Sequence, residues 1–109
     1  MPASNLGELE QLVLLAIARL GDAAYGVSVR REIAARTRRD LAFGSVYTTL
    51  ARLEEKGFVA SHLGDPTPER GGRRKKHYTV SAAGRRALTR SLQAIRAMTH
   101  GIDASWGTP

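Results

Sequence analysis

Residues 44–80 read "GSVYTTLARLEEKGFVASHLGDPTPERGGRRKKHYTV", and the spacing of their apolar side chains changes partway along. From Gly44 to Gly57, Val46, Leu50 and Leu53 recur at three- and four-residue steps, the mark of one buried helix face. "FVASHL" and "KKHYTV" are then short runs rich in strand formers, separated by a segment holding Pro66, Pro68, Gly71 and Gly72. Two such runs joined by a Pro- and Gly-containing loop predict an antiparallel hairpin. The basic run "RRKK" therefore belongs to a loop tied at both ends by strands, not to a loose tail.

The flanking sequence is also periodic. In "NLGELEQLVLLAIARLG", Leu6, Leu9, Leu12, Val13, Ala16, Ile17 and Leu20 form the stripe of an amphipathic helix. Asn5 with Glu8 predicts its cap, and Gly21 predicts its end. A second helix runs through "YGVSVRREIAART", with Tyr25, Val29 and Ile33 four apart, and "RRDLAF" reads as a short connection. After the hairpin, Ser81 is placed to cap a last helix, "AAGRRALTRSLQAIRAM", with Leu88, Leu92, Ile95, Met98 and Ile102 along one side. The tail "HGIDASWGTP" is expected to fray.

The order is helix, helix, helix, hairpin, helix: mostly α with a small β-hairpin. This is the layout of a winged helix-turn-helix with the hairpin loop as its wing. It divides the chain into a winged helix-turn-helix at 1–80, a C-terminal dimerisation helix at 81–100 and a flexible tail at 101–109.

A chain of 109 residues supports one domain with a modest core. With 42% hydrophobic and 25% charged residues it has the composition of an ordinary soluble protein. The absence of Cys excludes disulfides and thiolate metal sites. "MPASNLGELE" lacks the pattern of a signal peptide, and "LVLLAIARL" is interrupted by Arg19 and too short to span a bilayer. A cytoplasmic protein is expected.

The net charge of +7 is unevenly placed. Residues 1–64 carry eight Lys/Arg against seven Asp/Glu, whereas residues 65–109 carry nine against three. A localised basic excess points to a polyanion, nucleic acid first and an acidic membrane surface second, with plain solubility as the bland alternative.

Helix three then matters in detail. Gly44, Ser45, Thr48, Ala51 and Arg52 lie opposite or beside its apolar side, with Tyr47 next to them. Such a helix has nothing bulky at its leading end and carries groups that can reach base edges in the major groove, Arg52 bidentately to guanine. Glu54 and Glu55 would repel phosphates, so docking is expected through the first two turns. A solvated helix face would use the same residue types. On the wing, Arg70, Arg73, Arg74, Lys75 and Lys76 flank a Gly-Gly pair and can pair with phosphates or enter the minor groove. Tyr25 either reaches a phosphate through its hydroxyl or packs into the core.

On the last helix, Leu88, Ile95 and Ile102 are seven apart, a near-heptad seam interrupted by Ser91. The seam packs either on helix one of its own chain or, as favoured here, on a second copy, because a bare stripe is an aggregation hazard. His62, His77 and His100 are scattered, without metal-ligand spacing. Trp106, in the tail, is a weak candidate for a ligand platform. The ten acids are dispersed and no Gly-rich phosphate loop follows a strand, so neither an enzyme nor a cofactor is expected.

With these motifs in view, the sequence resembles the PadR family of bacterial transcriptional regulators. The matching pieces are "LGELEQLVLLAIARLG", "YGVSVRREI", "GSVYTTLARLEEKGFV" and "PTPERGGRRKKHYTVSAAGRRAL", covering most of the chain up to about Arg96. The resemblance implies a homodimeric repressor on double-stranded DNA with inverted-repeat operators. It also implies a dimer contact from helix one (Leu6, Leu9) and the last helix (Leu88, Leu92, Ile95, Met98, Ile102). DNA-contact roles carry over to Tyr25, Ser45, Tyr47, Thr48 and Arg73 to Lys76. The chain departs from the family pattern at Arg38, where many members have a glycine suited to a left-handed helix end. It is similar to the short subfamily with a single C-terminal helix, which would put any small-molecule effector pocket at the dimer interface. Two other readings remain at this stage: a non-specific or architectural nucleic-acid-binding protein, and a protein-interaction module whose basic loop is only solvated.

Overall fold

In the computed structural model, residues 6–64 and 75–102 are described. Helix α1 spans Glu8–Leu20, followed by a single 3-10 turn at Gly21–Ala23. Helices α2 (Gly26–Thr37) and α3 (Phe43–Glu55) come next, then strands β1 (Val59–Leu63) and β2 (Lys76–Val80), and α4 (Ala82–Thr99). Four helices and one two-stranded antiparallel sheet match the expected order.

The three N-terminal helices close on one core. Leu14 and Ile17 of α1, Val29 of α2, and Val46, Leu50 and Leu53 of α3 are its largest fully buried side chains, together with Val13. Burial of each such side chain contributes roughly 1.5–3 kcal/mol before entropy is counted. Gly21 ends α1 as expected, its N–H donating to the Ile17 carbonyl.

The start of α1 differs from the expectation. Gly7, not Asn5, is the capping position, and Glu10, not Glu8, reaches back to accept the Gly7 N–H at 2.9 Å. Glu8 is the first helical residue and instead pairs with Arg39 at 2.8 Å; Asn5 lies outside the described residues. Glu10 is buried to 7% exposure and also accepts a bond from Lys56 Nζ at 2.7 Å, which ties α1 to the end of α3. Burial alone would raise its pKa. The Lys56 ammonium and the Gly7 N–H outweigh that and hold the carboxyl below its ordinary value.

Helix α2 closes at Arg38, which takes φ 60° and ψ 24°, the left-handed conformation, while its N–H donates to the Ala34 carbonyl at 2.9 Å. The position where the resemblance leads one to expect a glycine is thus filled by a residue whose backbone is strained there.

The hairpin pairs Val59 with Val80 and Leu63 with Lys76 at its two ends. It is stitched to the helices through Tyr78, whose N–H donates to the Ala24 carbonyl at 2.9 Å, with a single bridge between Tyr25 and His77. Ser81 caps α4 as expected, accepting the Gly84 N–H at 3.0 Å, and donates its hydroxyl proton to the Gly57 carbonyl at 2.6 Å. Gly84 allows this junction to close: a Cβ there would lie 2.1 Å from the Phe58 carbonyl oxygen. Among the described residues no helix is long and apolar enough to cross a membrane.

Candidate nucleic-acid interface

Val46, Thr49, Leu50 and Leu53 form the buried side of α3, and Gly44, Ser45, Tyr47, Thr48, Ala51 and Arg52 are all exposed, as the spacing predicts. The two neighbouring threonines part company. Thr49 is buried and donates its hydroxyl proton to the Ser45 carbonyl at 2.7 Å, whereas Thr48 faces out. Gly44 and Ala51 leave the centre of the exposed face low, so that the backbone of α3 can approach a flat-edged partner closely.

The two flanks of that face differ in chemistry. On one, Ser45, Thr48 and Arg52 line a shallow groove of about 350 Å³ whose other wall includes Leu9 of α1. Arg52 lies close enough to Glu10 to help lower its pKa. On the other flank, the Tyr47 ring covers the first turn of α2. A Cβ at Gly26 would meet Tyr47 Cζ and Oη at 2.4 Å, so only glycine lets this ring lie there. Beside it stands Phe43, with the two rings 6.4 Å apart and 23° from parallel.

The leading end of α3 therefore corrects the sequence reading. The helix begins at Phe43, not Gly44, and Phe43 is 45% exposed, so a bulky ring does stand at the front. Arg30 of α2 lies over that ring at 4.3 Å and is itself anchored to the Leu41 carbonyl and to Asp40. "RRDLAF" reads as a connection because its end carries no periodic signal. The available clue was that Phe43 stands four residues before Tyr47, on the same side of a helix extended by one residue.

Tyr25 is half-buried. It sits edge-on to His77 at 5.6 Å, and Lys75 Nζ lies 4.3 Å from its ring centre. Tyr47, the α2 start, Tyr25 and Lys75 thereby form one continuous strip from α3 to the root of the wing. Gly64 closes that root by donating its N–H to the Lys75 carbonyl at 2.7 Å.

The two described wing lysines are not equivalent. Lys75 is exposed over an aromatic ring, while Lys76 pairs with Glu54 at 3.2 Å. Glu54 accepts a further bond from the Ser61 hydroxyl at 2.5 Å, and these two donors lower its pKa while Glu54 raises that of Lys76. Glu54 is thus turned toward the hairpin with its charge countered. Arg70, Arg73 and Arg74 lie outside the described residues, as does Trp106.

The hairpin register corrects the reading of the histidines as scattered. His62 and His77 are directly opposite each other, with rings 5.6 Å apart and 21° from parallel. Among the described residues no group of three or more His, Cys, Asp or Glu could hold a metal ion.

The residues expected at a dimer contact divide sharply. Leu6 and Leu88 belong to the chain's own core at 8% and 9% exposure, and Leu9 is half-buried against it. Leu92, Ile95 and Met98 are exposed at 38%, 58% and 78%, and Ile102, just past the end of α4, at 48%.

Solved structures share this architecture. A PadR family transcription regulator from hypervirulent Clostridium difficile is 26% identical, with a TM-score of 0.68 over 85% of this chain and 92% of that one. A PadR-like regulator from Bacillus cereus is 18% identical, with a TM-score of 0.71 over 93% of each chain. Bordetella bronchiseptica BpsR, whose DNA binding is regulated by 6-hydroxynicotinic acid, is 21% identical, with a TM-score of 0.64 over 96% of this chain and 74% of that one. No curated protein matches the sequence closely. The model of the transcriptional regulator PadR-like family matches residues 13–90, from α1 into α4 and well over half the sequence. The chain belongs to the PadR-like family of transcriptional regulators.

Proposed function

We propose that this chain, by family a DNA-binding transcription regulator and not an enzyme, works as a homodimeric repressor on an inverted-repeat operator. The carrying observation is the strip that joins the exposed face of α3, through Tyr47 and Tyr25, to Lys75 at the wing root. A helix with a low centre and hydroxyl-bearing flanks enters a major groove, and the adjacent cations meet the phosphates beside it. Ser45, Thr48 and Arg52 read base edges, and Lys75 with the wing arginines Arg70, Arg73 and Arg74 holds the backbone. Lys76 contributes less to phosphate binding, because Glu54 already answers its charge.

The second copy is supported by α4. Leu92, Ile95 and Met98 stay open to water in a single chain, and α1 and α2 present an apolar groove of about 220 Å³ lined by Leu12, Leu15 and Ile33. Joining two copies through α4 and α1 covers that stripe and sets two α3 helices roughly 34 Å apart, one turn of the duplex. A regulator built this way works on chromosomal DNA in the cytoplasm.

Titration of DNA from the gene's own upstream region against scrambled DNA at fixed salt tests the reading. A preference of at least a hundredfold for one site is expected. Equal affinities would instead describe a non-specific nucleic-acid-binding protein. Neutralising Arg73, Arg74, Lys75 and Lys76 together should flatten the dependence of log affinity on log salt by up to about 0.9 per lost phosphate contact. An unchanged slope would favour a protein-interaction module. A reporter driven from the bound promoter separates repression from activation.

A further inference from the structure

Phe43 is a large apolar ring left 45% exposed at the first residue of the reading helix, and the core makes no use of it. Its orientation is set from both sides of the α2–α3 connection. Arg30 lies over the ring at 4.3 Å, and that guanidinium is held by the Leu41 carbonyl and by Asp40 at 2.9 Å. Tyr47, one turn later, stacks beside it at 6.4 Å and is itself seated on Gly26. The result is a pre-oriented aromatic pair on the flank of α3 opposite Ser45 and Arg52.

A phenyl ring carries no donor or acceptor, so it cannot read the hydrogen-bonding edge of any base. The one apolar group a base pair shows in the major groove is the C5-methyl of thymine. We propose that Phe43, backed by Arg30 and Tyr47, is a specificity-determining residue that contacts a thymine methyl in each half-site. It thereby requires an A·T pair, with thymine on a fixed strand, at one position of the operator. The inference rests on the operator reading above and adds a base preference to it. Lys75, exposed along the same strip, matches a polyanionic duplex better than an apolar protein face.

The test begins with selection of preferred duplexes from a random-sequence pool by the wild-type protein. Each thymine of the selected site is then replaced by deoxyuridine, which removes only the methyl group, and affinity is measured by fluorescence anisotropy. Wild type is expected to lose roughly fourfold per half-site at one thymine, the worth of one buried methyl. Phe43→Ala is expected to bind the unmodified site correspondingly less well and to be indifferent to uracil there. If that variant loses its helical circular dichroism, Phe43→Leu decides, with a reduced uracil penalty expected and an unchanged penalty overturning the proposal. A wild type indifferent to uracil at every position would give the aromatic pair to a protein surface and overturn the proposal. So would a folded Phe43→Ala that keeps the full penalty. A pool that yields no preferred duplex overturns the operator reading as well, which separates the two failures.

Discussion

Helices α3 and α4 are both amphipathic, and they dispose of their apolar sides in opposite ways. In α3, Val46, Leu50 and Leu53 are all at 0% exposure, while the outward side carries small and hydroxyl-bearing residues together with Arg52 and the Phe43 ring. Helix α4 is buried only at its beginning, through Gly84, Ala87 and Leu88, and exposure then climbs from Leu92 through Ile95 to Met98. Apolar spacing marks a stripe without saying which chain covers it. In α3 the other helices of the same chain do so. In α4 the stripe outruns the core, and the proposed second copy takes over where the first ends.

Substitutions at equivalent apolar positions should separate the two helices most widely. Leu50→Ala empties a fully enclosed site and is expected to cost roughly 2–5 kcal/mol in urea denaturation. Ile95→Glu combined with Met98→Glu is expected to leave the unfolding free energy of the single chain within about 0.5 kcal/mol. The same pair of charges should halve the mass seen by light scattering at micromolar concentration and weaken operator binding at least tenfold. A monomeric wild type, or a double variant that stays dimeric, would remove the contrast.

The exposed side of α3 can be probed through its support. Gly26→Val drives a side chain into the Tyr47 ring, and overpacking of this kind is expected to cost about 1–3 kcal/mol. Operator affinity should fall with it, because the ring can no longer lie across α2. A smaller and opposite effect is expected at Arg38→Gly. Relief of the left-handed backbone, partly offset by greater freedom of the unfolded chain, should raise stability by up to about 1 kcal/mol by the same measurement.

The smallest effect is one of pH. The folded-state pKa of Glu10 is depressed below 4.5, so its stabilising contribution is complete above that value and fades as pH falls through the folded value. The difference in urea midpoint between wild type and Glu10→Gln is therefore expected to be full at about pH 6 and to close progressively below 4.5. A gap that widened on acidification would contradict the Glu10–Lys56 tie.

Much of this architecture was legible locally. The stripe of α1, the inward Val46, Leu50 and Leu53, and the Ser81 cap all depend on neighbours within four residues, and the structure places them as their spacing predicts. The exposed Ser45, Tyr47, Thr48 and Arg52 were legible for the same reason, as the complement of a well-marked buried face. Phe43 was not, because a helix-starting residue has no preceding turn to give it a period. The Lys75–Tyr25 contact, the Lys76–Glu54 pair and the opposed histidines were not legible either, since each joins residues from different elements.

The order of elements, the side of α3 that faces outward and the location of excess positive charge follow from the chain alone, because periodicity, capping and charge are properties of short segments. Tertiary structure decided which wing lysine keeps its charge available, which aromatic rings stand at the front of α3, and where along α4 burial stops. These outcomes depend on the register of the hairpin, on how closely Tyr47 of α3 lies against α2 at Gly26 and on how closely α4 meets the Phe58 backbone at Gly84, distances that no local pattern encodes.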